Sequence, residues 1–381
     1  MAREPRPTPS RLALNRRTAS LVALGAVAIL GVTWGVLRLL PLREAAPAGT
    51  PELVFAAFGE TSDLIYVAPA TRPDERKVID TVPHAEGWGL NPGPMAGDLV
   101  AFNAIPSGTP GARGAPAELW LLNARSREKT RLARDADLLV KPVIIANGKA
   151  ILYRRTDGDL QQIVRVEVDT LARSVVHEER TAFGMIPLGL DSAGALLFAR
   201  LSNAGTDLFR KTGGGAPALA FHASDELARD WQLSPDARSI AYLAQQTRGE
   251  RVIYRMQAVS IEGGRALALP DANATGEQYG PVWTPDGADL TVGQEPVSGN
   301  AAPVALLRAG TPPAALAAPK QGFDVPFAWN ANGTYLAART FDGKNSTNAG
   351  RETAVVIARS GERYPISAPG EVILVGWLSH A

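Results

Sequence analysis

The stretch WTPDGADLTV at residues 283–292 decides the fold, because it joins a tight turn to a short apolar strand. In the turn, Pro285 sets φ, Asp286 caps its own backbone and Gly287 accepts a positive φ. Related stretches are MAGDLVAF (95–102), ANGKAILY (146–153), DSAGALLF (191–198), SPDARSIAYL (234–243) and NANGTYLAA (330–338). Each of these stretches predicts a hairpin that joins two strands.

The hairpins recur at a regular spacing. Their turn markers are Gly97, Gly148, Gly194, Ala237, Gly287 and Gly333, which are 51, 46, 43, 50 and 46 residues apart. After each marker comes a second pair of apolar-alternating runs, clearest at 119–132, 163–176, 207–221, 253–269, 304–317 and 354–366. Four strands per unit at this period predict the blades of a β-propeller.

The two ends of the repeat region complement each other. Residues 53–79 supply three strands without an innermost one, and the C-terminal EVILVGWLSHA supplies one strand. We therefore expect a strand over 371–378 to complete the first blade and remove the open edges of a linear array. The prediction is an all-β, seven-bladed β-propeller over 49–381, with a six-bladed ring or a pair of β-sandwiches as the alternatives.

Three tryptophans share one place in the repeat. Trp283 and Trp329 precede their markers by four residues, and Trp377 precedes position 381, where the next marker would fall, by the same distance. A large ring at a repeated position is predicted to fill the core between blades, in preference to stacking on a ligand.

The repeat resembles that of TolB-type propellers, a WD40-like (PD40-type) repeat with a Trp-Ser-Pro-Asp-Gly-x-x-Leu pattern. The match is best at 283–287 and 234–236 and fair at 329–333. The resemblance implies the fold, while its implication for function is weak, because this repeat serves binding proteins, peptidase propeller domains and lyases alike. TolB itself carries an α/β domain before its propeller, so we expect a TolB-like protein other than TolB.

The first 44 residues differ in charge from the rest. They hold seven of the 39 basic residues and two of the 38 acidic ones, so the remainder carries 32 basic and 36 acidic residues. Twenty uncharged residues separate Arg17 from Arg38, enough for a helix to cross a bilayer. The sequence predicts a basic tail (1–17), a transmembrane helix (18–40) and a short linker (41–48).

Charge also predicts the orientation of that helix. Five arginines precede it and two follow closely, so the positive-inside rule puts the tail in the cytoplasm and the propeller outside it. The predicted location is the inner or plasma membrane, with a single span. A cleaved signal peptide is the alternative, although its apolar region is normally shorter.

Composition excludes several classes of chemistry. The chain has no cysteine, which excludes disulfides, a thiol nucleophile, Cys-ligated zinc and iron–sulfur clusters. The net charge of +1 argues against a nucleic-acid-binding protein.

No Gly-x-Ser-x-Gly elbow is present, and Ser126-Arg-Glu-Lys129 falls on a predicted surface hairpin. The chain has four histidines. A three-histidine metal site would need His84, His222 and His380 to converge, but His84 and His222 fall on predicted connections between blades, whereas His380 falls on a turn of the opposite face.

Carboxylates are concentrated in the predicted connections between blades. These connections lie on the same face of the propeller as the loops between the second and third strands. The candidate binding face consists of Asp135, Asp137, Asp225, Asp230, Glu277 and Asp324. If this face carries excess negative charge around the mouth of the central channel, it attracts cations or basic peptides. Asp135-x-Asp137 could contribute to a Ca²⁺ site, and no other cofactor is predicted.

The predicted function is a non-catalytic, membrane-tethered platform that binds a protein, peptide or other ligand, or serves as a subunit of a complex. The alternative is an envelope-associated lyase or hydrolase acting at the channel mouth.

Overall fold

The computed structural model describes residues 49–271 and 275–379. The predicted tail (1–17), transmembrane helix (18–40) and linker (41–48) lie outside the described residues, as does His380. Within the described ranges, no helix is long and apolar enough to cross a membrane.

The described residues form seven antiparallel sheets, which confirms the seven-bladed propeller over its six-bladed and sandwich alternatives. From the innermost strand outward, blade 1 consists of β27 (Val372–Trp377), β1 (Glu52–Ala57), β2 (Ser62–Pro69) and β3 (Lys77–Pro83). Blade 2 consists of β4 (Asn91–Pro92), β5 (Leu99–Ala104), β6 (Pro116–Asn123) and β7 (Lys129–Asp137). Blade 3 consists of β8 (Val143–Ile145), β9 (Ala150–Asp157), β10 (Leu160–Glu167) and β11 (Arg173–Arg180).

The remaining blades follow the same order from the inside outward. Blade 4 consists of β12 (Met185–Leu190), β13 (Leu196–Ser202), β14 (Gly205–Lys211) and β15 (Ala218–Ser224). Blade 5 consists of β16 (Ala228–Leu233), β17 (Ser239–Arg248) and β18 (Arg251–Ser260). Blade 6 consists of β19 (Gln278–Trp283), β20 (Leu290–Gln294), β21 (Ala305–Leu307) and β22 (Ala314–Ala315). Blade 7 consists of β23 (Phe323–Trp329), β24 (Tyr335–Phe341), β25 (Glu352–Ala358) and β26 (Arg363–Pro365).

The hydrophobic core is a series of layers between neighbouring blades. Along β1, Val54 and Ala56 pack toward blade 2, while Leu53 and Phe55 pack toward blade 7. This split follows from the period of two, which sends successive side chains to opposite faces of a sheet. Because both faces of each blade are covered, the middle strands are almost continuously apolar.

The last strand closes the ring as the sequence predicts. β27 pairs antiparallel with β1, with Leu53 opposite Trp377 and Ala57 opposite Val372. Beyond the strand, the backbone N–H and the hydroxyl of Ser379 both donate to Asp98 in blade 2, at 3.0 and 2.7 Å. The end of the described chain is therefore fixed to blade 1 by a strand pair and to blade 2 by side-chain hydrogen bonds.

The hairpin turns have the predicted chemistry. In blade 6 the Thr284 hydroxyl donates to Asp286 at 2.6 Å, and the Asp286 carboxylate accepts the N–H of Ala288 at 3.0 Å. Asp236 accepts the same pair of bonds in blade 5, from Ser234 and Arg238. Hydrogen bonds from Thr284 and Ser234 lower the pKa of Asp286 and Asp236.

Blade 5 departs from the prediction of four strands per unit. Residues 265–269 run beside β18, but they form only an isolated bridge between Ala266 and Val259 and two backbone hydrogen bonds, from Ser260 to Arg265 and from Leu267 to Ala258. The sheet of blade 5 therefore has three strands in the described part of the chain. Only five residues, 265–269, separate the Gly-Gly turn at 263–264 from Pro270, and proline has no N–H to continue the ladder, so the pairing stays short.

Candidate functional site

One face of the propeller carries the connections from the outer strand of each blade to the inner strand of the next. We call it the connection face. Its connections are 84–90, 138–142, 181–184, 225–227, 270–271 with 275–277, 316–322 and 366–371. It also carries the loops between second and third strands, of which 105–115, 295–304 and 342–351 are the longest. The six carboxylates predicted as a binding face all lie at or beside this end of the blades.

Asp135 and Asp137 at the end of β7 are engaged by arginines of blade 3. The Arg154 guanidinium donates to Asp137 at 2.6 and 3.1 Å. Asp135 accepts hydrogen bonds from Arg155 at 3.0 Å and from the Tyr153 hydroxyl at 3.0 Å. These arrangements join blades 2 and 3. Among the described residues, no group of three or more His, Cys, Asp or Glu is arranged to hold a metal ion.

Asp324 is the most completely buried of the six. Its side chain is 0% exposed and receives two bonds from Arg363, at 2.7 and 2.9 Å. The Thr340 hydroxyl donates to the same carboxylate at 2.6 Å. A buried charge with this many donors holds strands together and is not open to a ligand.

Glu277 is buried against the long loop 342–351. Its carboxylate accepts hydrogen bonds from the hydroxyls of Tyr279, at 3.2 Å, and Ser346, at 2.6 Å, and only 2% of the residue is exposed. Burial and the neighbouring carboxylates of Glu277 and Glu295 raise the pKa of Tyr279. Burial tends to raise the pKa of Glu295, but the N–H of Glu277 and the Arg251 guanidinium hold it below its usual value.

Asp230 keeps an exposed carboxylate near the central channel. It has a φ of +55° at a bulge of β16, and its side chain is 49% exposed. Lys141 is exposed, yet the surrounding protein partly desolvates its ammonium and lowers its pKa; the carboxylate of Asp230 partly offsets this, and Arg339 lowers the pKa further. These three residues come from different parts of the ring, before β8, in β16 and in β24. Lys141 directly precedes the innermost strand of blade 3, and Asp230 lies in the innermost strand of blade 5, so both lie toward the central channel.

Asp225 is the most accessible of the six carboxylates, because its side chain is fully exposed. It lies 3.1 Å from Nε2 of His222, whose Nδ1 lies 2.8 Å from Asp207. The hydrogen bond with Asp207, assisted by Asp225, raises the pKa of His222. Asp225 therefore belongs to a charged cluster at the outer part of blade 4 that remains open to solvent.

A cavity of about 180 Å³ lies beside Asp225, between two consecutive connections. Its apolar walls include Phe183, Leu201 and Leu227, and its polar rim includes Asp225 and Glu226. Phe183 and Leu227 are 43% and 37% exposed. The cavity thus combines an apolar wall with two carboxylates.

Polar side chains at the start of third strands hold both walls in place. The side chain of Gln161 donates to the carbonyl of Phe183 and accepts the N–H of Met185 at 3.0 Å. In the next blade, the Thr206 hydroxyl donates to the carbonyl of Glu226 at 2.9 Å and accepts the N–H of Ala228 at 3.0 Å. Because these bonds fix the connection backbones, Phe183 and Leu227 are presented on a rigid frame.

Sequence reasoning missed the apolar residues of this face. Leu139, Phe183 and Leu227 occupy three consecutive connections and are all exposed. A large apolar residue in each of three neighbouring connections, which lie outside the predicted strands, is the signal that could have pointed to them. The sequence favoured the carboxylates as site residues because the side chains that pair with them lie far away in the chain and could not be recognised.

Within residues 49–271 and 275–379, His84 and His222 lie apart and each has its own partners. His84 is buried, with Nδ1 2.8 Å from the carbonyl of Ala85 and Nε2 3.1 Å from Asp63. Asp63 also accepts the N–H groups of Gly59 and Leu90, at 3.0 and 2.7 Å. His84 therefore ties the connection 84–90 to β2, while His222 lies in blade 4 with its own carboxylates.

Solved structures share this fold. The chain aligns with TolB from Acinetobacter baumannii at a TM-score of 0.50 and 11% identity, over 86% of this chain and 67% of that one. It aligns with oligogalacturonate lyase from Vibrio parahaemolyticus at a TM-score of 0.54 and 11% identity, over 83% and 84% of the two chains. The β-propeller domain of the Trilobed protease from Pyrococcus furiosus aligns at a TM-score of 0.51 and 8% identity, over 83% and 96%.

These similarities show a TolB-like β-propeller, as the repeat predicts, and at these identities they show the fold alone. No protein-family model and no curated protein matches the sequence.

Proposed function

We propose that this chain is a non-catalytic, membrane-tethered β-propeller that binds a protein or peptide partner on its connection face. The observation that carries the proposal is the cavity between Phe183 and Leu227, with Asp225 and Glu226 on its rim. Exposed apolar patches rimmed by polar residues mark interaction sites. A rigid frame that presents exposed connections is also the usual arrangement of binding proteins.

The other exposed apolar side chains support the choice of face. Five of the nine large hydrophobic residues that are exposed in the described part of the chain lie on or next to the connection face, namely Leu139, Phe183, Leu227, Val252 and Val297. They extend from blade 2 to blade 6, partly around the channel mouth. A partner that spans several blades would cover them together.

The charges indicate the chemistry of that partner. Asp225 is fully exposed and Asp230 is about half exposed, so both carboxylates are accessible to a partner's cations in addition to their own neighbours, His222 and Arg229. The preferred partner segment is an apolar side chain with an adjacent lysine or arginine. The apolar group enters the cavity, and the cation lies at the rim, where the negative field also steers association.

The tether and the location rest on the sequence. Five arginines precede the twenty uncharged residues 18–37, which supports an uncleaved anchor and a propeller outside the cytoplasm. Because the chain contains no cysteine, a single introduced one is a clean reporter. With Ser107→Cys on the exposed loop 105–115, a membrane-impermeant maleimide should label intact cells. With Ser10→Cys in the tail, labelling should require lysis, and the reverse pattern would refute the orientation.

The binding face is tested by affinity purification of full-length protein in mild detergent, with the variants Leu227→Glu and Asp225→Lys. We expect both to lose the partner that wild-type protein retains, because one blocks the apolar wall and the other reverses the rim charge. Leu219→Glu is the matched control, since Leu219 is 57% exposed on the outer strand β15 of blade 4, the blade that leads into the connection holding Leu227. Equal recovery of the partner by all three variants would exclude this face.

A further inference from the structure

Blade 5 leaves its third strand at the edge of its sheet. β18 pairs with β17 over ten consecutive residue pairs, without a register shift. On its other side, the segment 265–269 bonds only to the last residues of β18, at Ala258 and Ser260. The earlier part of β18 therefore forms a regular open edge within the described part of the chain.

The outer strands of the other blades are protected against pairing with another chain. In blades 1 to 4, a bulge interrupts the pairing of the third strand with the outer strand. In blades 6 and 7, the outer strands β22 and β26 have only two and three residues. Bulges and short strands are two of the means by which proteins blunt their sheet edges. β18 has neither, and its segment Val252-Ile253-Tyr254 has the β-branched and aromatic composition that favours strands.

The strand alternation identifies which backbone groups of this edge face outward. In an antiparallel pair, successive residues direct their N–H and C=O groups to opposite sides of the strand. Ala258 and Ser260 form their bonds on the outer side, and so does the N–H of Met256, which donates to a side chain of blade 6 at 2.9 Å. By the same alternation, the N–H and C=O groups of Val252 and Tyr254 face outward. These four groups have no hydrogen-bond partner within residues 49–271 and 275–379, and Val252 is 52% exposed.

We propose that β18 pairs with β18 of a second copy of this chain, so that the two copies of blade 5 join into one sheet. Antiparallel pairing about a twofold axis at Ile253 places Val252 of each copy opposite Tyr254 of the other. The two outward N–H groups of each copy then meet the two outward C=O groups of the other, and no group is left over. A twofold interface must be complementary to itself. This exact match of donors and acceptors favours a second copy over a foreign strand.

The charges near the edge are compatible with this register. It places Arg251 of one copy opposite Arg255 of the other. Arg251 donates to Glu295 at 2.7 Å, and Arg255 donates to Asp271 at 2.6 Å. Because each guanidinium is paired with a carboxylate of its own copy, the two arginines repel each other less than unpaired cations would.

The edge is separate from the site proposed for the partner, and the inference goes beyond that proposed function. The edge belongs to blade 5, whereas the cavity at Phe183 and Leu227 is formed by connections on either side of blade 4. Failure of either proposal therefore leaves the other intact.

The test is sedimentation of purified full-length protein in density-matched detergent. Because the shared edge is short, we expect a weak dimer, so the protein is measured over a concentration series up to about 100 μM. The key variant is Val252→Lys, which places a charge on the open edge. The matched control is Val175→Lys, since Val175 is 45% exposed on β11, an outer strand whose pairing contains a bulge. Both variants raise the net charge by one at an exposed valine.

We expect wild-type protein and the control to dimerise, and Val252→Lys to weaken the dimer about tenfold or more. The proposal is overturned if wild-type protein stays monomeric throughout the series. It is also overturned if Val252→Lys dimerises as well as the control, because another contact would then join the copies. If wild-type protein is monomeric but retains a different polypeptide that only Val252→Lys loses, the edge belongs to a foreign strand and the second copy is excluded.

Discussion

The indole N–H of Trp377 donates a 2.9 Å hydrogen bond to the backbone carbonyl of Ala328. Trp377 lies in the last strand of the chain, within blade 1, and Ala328 lies in the first strand of blade 7. Trp283 makes the corresponding bond to Gln232 in the preceding blade at 3.1 Å. The repeated tryptophan is therefore a support between blades, as predicted, with a specific hydrogen bond in addition to its packing.

Replacing Trp377 by Phe should lower the free energy of unfolding by about 1–3 kcal/mol, because it leaves the Ala328 carbonyl without this donor and removes ring volume. Urea unfolding of full-length protein measures the change. Trp231→Phe is the control, since the Trp231 N–H is buried without a partner in the described residues. Equal losses in the two variants would show that the hydrogen bond contributes nothing beyond ring size.

Replacing Arg363 by Ala should destabilise the protein by about 3–5 kcal/mol, because it leaves the buried carboxylate of Asp324 without its cation. Thermal unfolding provides the measurement. Arg308→Ala should have little effect, since Arg308 is about half exposed and Arg359 lies 3.4 Å from the same Asp289 carboxylate. A small effect of Arg363→Ala would mean that Asp324 can reach water.

Two glycines in the same conformation should respond differently to alanine. Gly322 has φ +75° and Gly310 has φ +74°, so the backbone cost of alanine, about 1–2 kcal/mol, is shared. A Cβ on Gly322 would lie 1.9 Å from the carbonyl oxygen of Phe341, whereas one on Gly310 has nothing within 4 Å. We expect Gly322→Ala to lower the melting temperature considerably more than Gly310→Ala. Similar melting temperatures would refute the close approach.

The ion pairs of His222 should make stability depend on pH. Asp207, through its hydrogen bond, and Asp225 raise the pKa of His222 above 6.5 in the folded state. The stabilisation is therefore complete below pH 6.5 and is lost as the pH rises through the raised pKa. His222→Gln should be less stable than wild type in acid and equal to it in base, as measured by denaturant unfolding across pH. A constant difference across the pH range would contradict this account.

Local patterns predicted much of the fold. Turn residues such as Asp286 and Gly287 act within a few positions of themselves, and alternation along β1 depends only on the strand period. Blade number followed from spacing and from the complementary ends. The missing fourth strand of blade 5 could not be foreseen, since residues 253–269 alternate like the others and their pairing ends only where the Gly-Gly turn and Pro270 intervene.

The candidate site was predicted less well, because whether a carboxylate is open depends on partners far away in the chain. Asp137 meets Arg154 and Asp324 meets Arg363, 17 and 39 residues apart, and no local pattern links either pair. Of the six predicted residues, Asp225 and Asp230 keep the most exposed side chains. The exposure of Phe183 and Leu227 could not be predicted for the same reason, since solvent exposure is a property of the assembled ring.

The amino-acid sequence by itself determined the repeating blade, its turn chemistry and the closing strand, since these depend on interactions within a few residues or on a fixed period. The tertiary structure decided which charges are paired and buried and which apolar residues stay exposed. The physical reason is that packing of segments distant in the chain sets the burial and the ion pairing of each group.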